Sequence, residues 1–134
     1  MFVDASAIVA FISEEREADS IADALTAASS RITAPVAVLK VALALAHPDK
    51  FNLSVEVAEA LICDLLDQRD IEIRDLPPAN EATRLMLSAA HRYRAGRWGL
   101  NLADCLHYAC AKYYNVPILA TDGEFGLTDL ETVK

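Results

Sequence analysis

A chain of 134 residues with 54% hydrophobic content holds enough apolar material for one self-supporting domain, and a positive mean hydropathy of +0.22 excludes a disordered one. The net charge of −8 excludes a protein that coats nucleic acid non-specifically, since that binding runs on Lys and Arg. It leaves room for a local grip through a metal and a small basic patch, and it suits a basic protein partner.

No apolar run is long enough to span a bilayer, and the N-terminal MFVDASAIVAFISEE lacks the basic region of a secretory leader, so no membrane association is expected. Cys63, Cys105 and Cys110 are odd in number and have no metal-ligand spacing. They read as reduced, mostly buried thiols of a cytoplasmic protein.

Phe2–Asp4 reads as a short buried strand, with Ser6 capping the helix that follows. Glu15–Ala28 reads as an Ala-rich amphipathic helix through Ile21 and Leu25. Arg31–Thr33 is a short strand ending at Ala34-Pro35, and Pro35 suits the first position of the next helix. That helix lies in an apolar stretch from Ile32 to Ala46 broken by one charge, Lys40, and His47-Pro48 closes it. A helix apolar all round belongs in an interior, so the Lys40 ammonium needs either water at the end of its stem or carboxylates beside it.

Val57, Leu61 and Leu65 predict a helix over Val55–Gln68, and the alternation in Ile71–Arg74 predicts a strand. The pair Pro77-Pro78 opens a helix reaching about Arg94. Gly96 and Gly99 punctuate a basic linker, and Asn101 caps a helix running to about Asn115. Pro117–Ala120 is a strand, Asp122-Gly123 a turn, and Leu130–Val133 a final strand. Strands alternating with helices predict an α/β fold: one three-layer α/β/α domain over residues 1–134 with a central, mostly parallel sheet.

Open parallel sheets carry their functional crevice beyond the carboxyl ends of the strands. Asp4 and Asp122 end predicted strands, and Asp104 lies in the first turn of the helix between them. Each has an ordinary structural role: a cap for Asp4, the third position of a capping box opened by Asn101 for Asp104, an Asp-Gly turn for Asp122. If the three converge, each close pair repels by about 4 kcal/mol at about 4 Å and an effective dielectric near 20. A hard divalent ion with oxygen ligands is the usual counterweight.

MFVDASAIVAF, then APVAVLKVALAL, then LNLADCLHYACAKYYNVPILATDGEF together resemble a PIN domain, and within that family the VapC-type ribonuclease toxins of bacterial toxin–antitoxin pairs. The resemblance covers nearly the whole chain and respects motif order and spacing. It implies an endoribonuclease dependent on Mg²⁺ or Mn²⁺ and a metal site of Asp4, Asp104 and Asp122. Ser6 and Glu124 would stand close by, and Tyr108, four residues after Asp104, could face the same side. It also implies a cognate antitoxin, an RNA substrate and a homodimer. The family's second acid, normally a glutamate, falls on Lys40. That departure leaves the fold untouched and puts activity in doubt, whether Lys40 is native or an inactivating change. A degenerate module that binds RNA or protein without cleaving is the alternative.

HRYRAGRWGLN places Arg92 and Arg97 with Tyr93 and Trp98 ahead of the Asp104 helix, which suits phosphate contacts and base stacking on unpaired RNA as well as a plain cationic helix end. His47 and His107 read as packing residues. A phospho-receiver, with Asp75 as acceptor, lacks the acidic pair beside the first strand and the Lys after the last one.

Overall fold

The computed structural model describes residues 1–96 and 99–133. Five short strands form one parallel sheet in the order β3-β2-β1-β4-β5: β1 (Phe2–Val3), β2 (Ile32–Thr33), β3 (Glu72–Ile73), β4 (Ile118–Leu119) and β5 (Thr132–Val133). Six α-helices connect them: α1 (Ala5–Ile12), α2 (Ala18–Ala27), α3 (Pro35–Ala46), α4 (Val55–Gln68), α5 (Ala79–Tyr93) and α6 (Leu102–Tyr114), with a 3₁₀ turn at Gly123–Leu127 before β5. Side chains alternate across a strand, so neighbouring residues face opposite layers. Val3 and Leu119 join the core built with α1–α4, whereas Phe2, Ile32 and Ile118 join the one built with α5 and α6. The expected three-layer α/β/α architecture is present. Chain order reverses between β1 and β4, and the crevice beyond their carboxyl ends is where such folds place a site.

Local signals account for most boundaries. Pro35 stands at the start of α3, Ser54 caps α4 through the Val57 N–H, and Asn101 caps α6. Asn115 closes α6 in the left-handed conformation that Asn tolerates. Three expectations are corrected, and the mostly buried thiols are as expected. Asp4, not Ser6, is the N-cap of α1, because its carboxylate accepts the Ser6 N–H. The second helix begins at Ala18 rather than Glu15, since Glu14 (φ +52°) and Glu15 donate back to Phe11 and Ala10 and so end α1 as a Schellman motif. Cys63 is exposed on α4, while Cys105 and Cys110 are buried on α6. Helix α3 is not enclosed: Leu39 and Leu43, four apart, are each 55% exposed, while Ala37, Val41 and Leu45 pack inward. Lys40 falls on the border between those two stripes.

Thr33 ties β2 to β1 through a buried hydroxyl bond to the Val3 carbonyl (2.9 Å). Arg31 fastens the start of β2 more broadly. Its guanidinium donates to the carbonyls of Leu25 (2.9 Å), Ala28 (2.8 Å) and Asp70 (3.3 Å), holding the end of α2 against the turn before β3. Hydrogen bonds from a charged donor contribute about 1.5–3 kcal/mol. Arg31→Met should therefore lower the unfolding free energy by about 2 kcal/mol in a urea titration; an unchanged midpoint would show that water replaces the guanidinium at those carbonyls.

Candidate active site

Asp4 leaves β1 in an extended conformation (φ −74°, ψ 156°) and caps α1, which turns its carboxylate back into the fold. Only 1% of the residue is exposed. Three donors meet it. Oδ2 accepts the Ser6 N–H (3.0 Å) and the Ser6 hydroxyl (2.7 Å), and Oδ1 lies 2.8 Å from His107 Nδ1. Burial alone would raise the Asp4 pKa, but the His107 imidazole and the Ser6 donors outweigh it and hold the carboxyl below its ordinary value. An ionised carboxylate only accepts, so Nδ1 carries the proton of that bond. The Ser6 hydroxyl also accepts the Thr121 N–H (3.1 Å), which links the end of β1 to the loop carrying Asp122.

Asp104 sits at the third position of α6, where a capping box fixes it: its N–H donates to the Asn101 side chain (2.8 Å), and its Oδ2 accepts the Asn101 N–H (3.0 Å). Burial raises its pKa, Asp4 and Glu124 push the same way, and the Asn101 N–H and Lys40 oppose them. Asp122 opens the 3₁₀ turn without a capping bond. The residue reaches solvent, yet its carboxyl is partly desolvated in the crevice, and that loss of water, followed by Glu124, Asp4 and Asp104, raises its pKa against Lys40. The charges of Asp4 and Glu124 thus reach both Asp104 and Asp122, and the charge of Lys40 opposes them at both.

Lys40 lines a groove of about 280 Å³ with Ser6, Lys50, Thr121 and Asp122. It forms no ion pair within 4 Å among the described residues. Its charge offsets the cluster without cancelling it. The donor set is all carboxylate oxygen, the kind that hard divalent ions take. The residues therefore fit such an ion in kind at Asp4, Asp104 and Asp122, whereas position 40 does not. Among the described residues, no three His, Cys, Asp or Glu side chains already stand close enough to hold an ion.

Other expected residues lie elsewhere. The Tyr108 hydroxyl donates to Asp129 (2.7 Å) and accepts from Arg92 (2.8 Å), so it serves a different network rather than the acid cluster. Burial and then Asp129 push its pKa up to about 12. Arg92 is held by Tyr108, by Asp129 at 3.5 Å and over the Tyr93 ring, which ties down the cation expected to meet phosphate. Arg97 and Trp98 lie outside the described residues. Burial raises the Cys105 thiol and takes Cys110 to about 11, which keeps both thiols protonated. His107, read from sequence as packing, is fully buried and bonded to Asp4. Its signal was the i, i+3 spacing from Asp104, which sets both on one face of α6.

The PIN domain family profile matches residues 1–129. Ribonuclease VapC30 of Mycobacterium tuberculosis is 30% identical over 141 aligned residues, covering 99% of this chain and 98% of that protein. Ribonuclease VapC36 of the same organism is 33% identical over 136 residues, covering 98% and 91%. Among solved structures, the chain matches Mycobacterium tuberculosis VapC20, described as a sarcin–ricin loop cleaving toxin, with a TM-score of 0.76 at 12% identity over 99% of this chain and 98% of that one. A toxin–antitoxin complex from Klebsiella pneumoniae matches with a TM-score of 0.69 at 15% identity, covering 96% and 92%. At such identities these structural matches speak to the fold alone.

The raised pKa of Asp122 has a consequence for stability. Its folded pKa lies above the unfolded value, so the folded chain holds more protons just above the ordinary carboxylate range, and stability falls as pH rises through that window. Asp122→Asn should unfold at a higher temperature than the parent at pH 7, with the gain fading at pH 3, where the carboxyl is protonated in both states. A variant less stable than the parent at pH 7 would contradict uncompensated repulsion in the cluster.

Proposed function

Because the chain belongs to the PIN domain family, and within it to the VapC-type ribonuclease toxins, we propose that it hydrolyses RNA phosphodiesters with Mg²⁺ or Mn²⁺ held by Asp4, Asp104 and Asp122, and that Lys40 impairs this copy. The observation that supports the reading is that Asp4, Asp104 and Asp122, carried by separate elements on the side of the crevice beyond β1 and β4, act electrostatically on one another. When bound, such an ion polarises the scissile phosphate and makes attacking hydroxide available near neutral pH. The chain's own residues prepare for it. His107 and Ser6 keep Asp4 ionised, the capping box fixes Asp104 in the first turn of α6, and Asp122 lines the groove with the charge of Glu124 acting on it. Lys40 acts against them, placing a fixed positive charge where the family's second acid belongs.

Further features support the rest of the reading. A net charge of −8 and the exposed Leu39–Leu43 stripe beside Lys40 suit a cognate antitoxin with basic and apolar segments, and exposed apolar surface suits a homodimer. Free thiols at Cys63, Cys105 and Cys110 suit a cytoplasmic location. No helix among the described residues is long and apolar enough to cross a membrane. Lys40 itself favours the second reading, a degenerate PIN module that binds RNA or protein without cutting.

Calorimetric titration with Mn²⁺ separates the two. Lys40→Glu should bind at least about tenfold more tightly than the parent, a gain of about 1.4 kcal/mol, and should cleave RNA that the parent leaves largely intact. Equal and tight binding by both proteins would overturn the role given to Lys40; a Lys40→Glu variant that binds the ion but cuts nothing would favour the degenerate module. For the basic segment, replacing Arg92 and Arg97 together should weaken binding of single-stranded RNA and flatten its dependence on salt, because fewer phosphate counterions are released. A salt slope identical to the parent's would remove both arginines from the RNA surface.

A further inference from the structure

His107 is a costly choice if its role is only to fill space. The residue is fully buried, its ring lies against Phe2 at 5.3 Å between centroids, and its Nε2 has no hydrogen-bond partner. An aliphatic side chain would pack there without stranding a polar atom. What an aliphatic side chain would not supply is the donor 2.8 Å from Asp4 Oδ1.

The donors divide unevenly over the Asp4 carboxylate, which has about four lone-pair sites. Oδ2 receives two, both from Ser6, and Oδ1 receives one, from His107. We propose that His107 is a positioning residue for Asp4, fixing the rotation of its carboxylate so that the one open lone pair, on Oδ1, is left for a ligand. Asp104 and His107 stand three residues apart on α6. One helix therefore sets two acids at once: Asp104 directly and Asp4 through the imidazole. Donors of this kind, which orient a ligating group from behind, are worth about 10–100-fold in metal affinity. The role rests on the metal-dependent reading above, and its test has readouts that do not.

The first readout is the tautomer in the unaltered chain, by ¹⁵N NMR of the imidazoles. His107 should carry a proton on Nδ1; a ring protonated on Nε2 alone cannot donate to Asp4 and would overturn the proposal. The second uses Lys40→Glu as the background for Mn²⁺ calorimetry, with thermal unfolding confirming that each variant folds. Adding His107→Leu, which fills the space without a donor, should weaken binding by about 10–100-fold. Adding His107→Asn, whose amide can donate from a similar place, should restore affinity to within about threefold of the background. Unweakened binding in the Leu variant overturns the role, as does equal loss in both variants, which marks a merely structural residue. If Lys40→Glu itself binds no Mn²⁺, the metal reading fails on its own, and the Ser6 amide proton decides about His107. Its NMR shift should move in His107→Leu and stay in His107→Asn, and a shift unchanged in the Leu variant overturns the positioning role.

Discussion

A carboxylate with 1% exposure at the end of the central strand is the constraint around which this molecule is arranged. Ionised Asp4 is affordable there only because donors meet it on both oxygens. Those donors come from the first turn of α1 and the middle of α6, so the two helical layers meet the sheet at one point. The same carboxylate starts α1 as its cap, and the Ser6 hydroxyl that binds it also anchors the loop leading to Asp122. Folding and site assembly are thus one event at this position.

Around Asp4 the charges do not balance. Asp104 and Asp122 are both pushed toward protonation by burial and by their acidic neighbours, and Lys40 relieves that strain only in part. On the proposed metal-dependent reading, a site in this condition trades stability for the capacity to take up a cation. On the same reading, a base in place of an acid at position 40 changes the local charge by two, which would lower the tension and the affinity together. The ammonium reaches this place because α3 is half open: Lys40 borders an exposed Leu39–Leu43 stripe and needs no deep burial.

Features set by neighbouring residues were legible in the sequence. The α4 span, the Pro35 start, the Asn101 cap and the parallel sheet implied by alternating elements all follow from local chemistry. The failures share a cause in tertiary contact. Exposure of the Leu39–Leu43 stripe depends on what packs against α3, which periodicity does not state. Glu14 in a left-handed conformation is not announced by its residue type, so the break between α1 and α2 was misplaced. His107 meets Asp4 across 103 residues of chain. The i, i+3 spacing puts His107 on the Asp104 face of α6, but the bond to Asp4 shows only once β1 and α6 are brought together.

The central claim is that Asp4, Asp104 and Asp122 form one cation site that Lys40 holds shut. Crystals of the parent and of Lys40→Glu, soaked in the same Mn²⁺ solution and measured for anomalous scattering, test this directly. The expected result is a Mn²⁺ peak contacting all three aspartates in Lys40→Glu and none at that place in the parent. Peaks of equal occupancy in both, or a Lys40→Glu crystal with Mn²⁺ bound away from these aspartates, would contradict it.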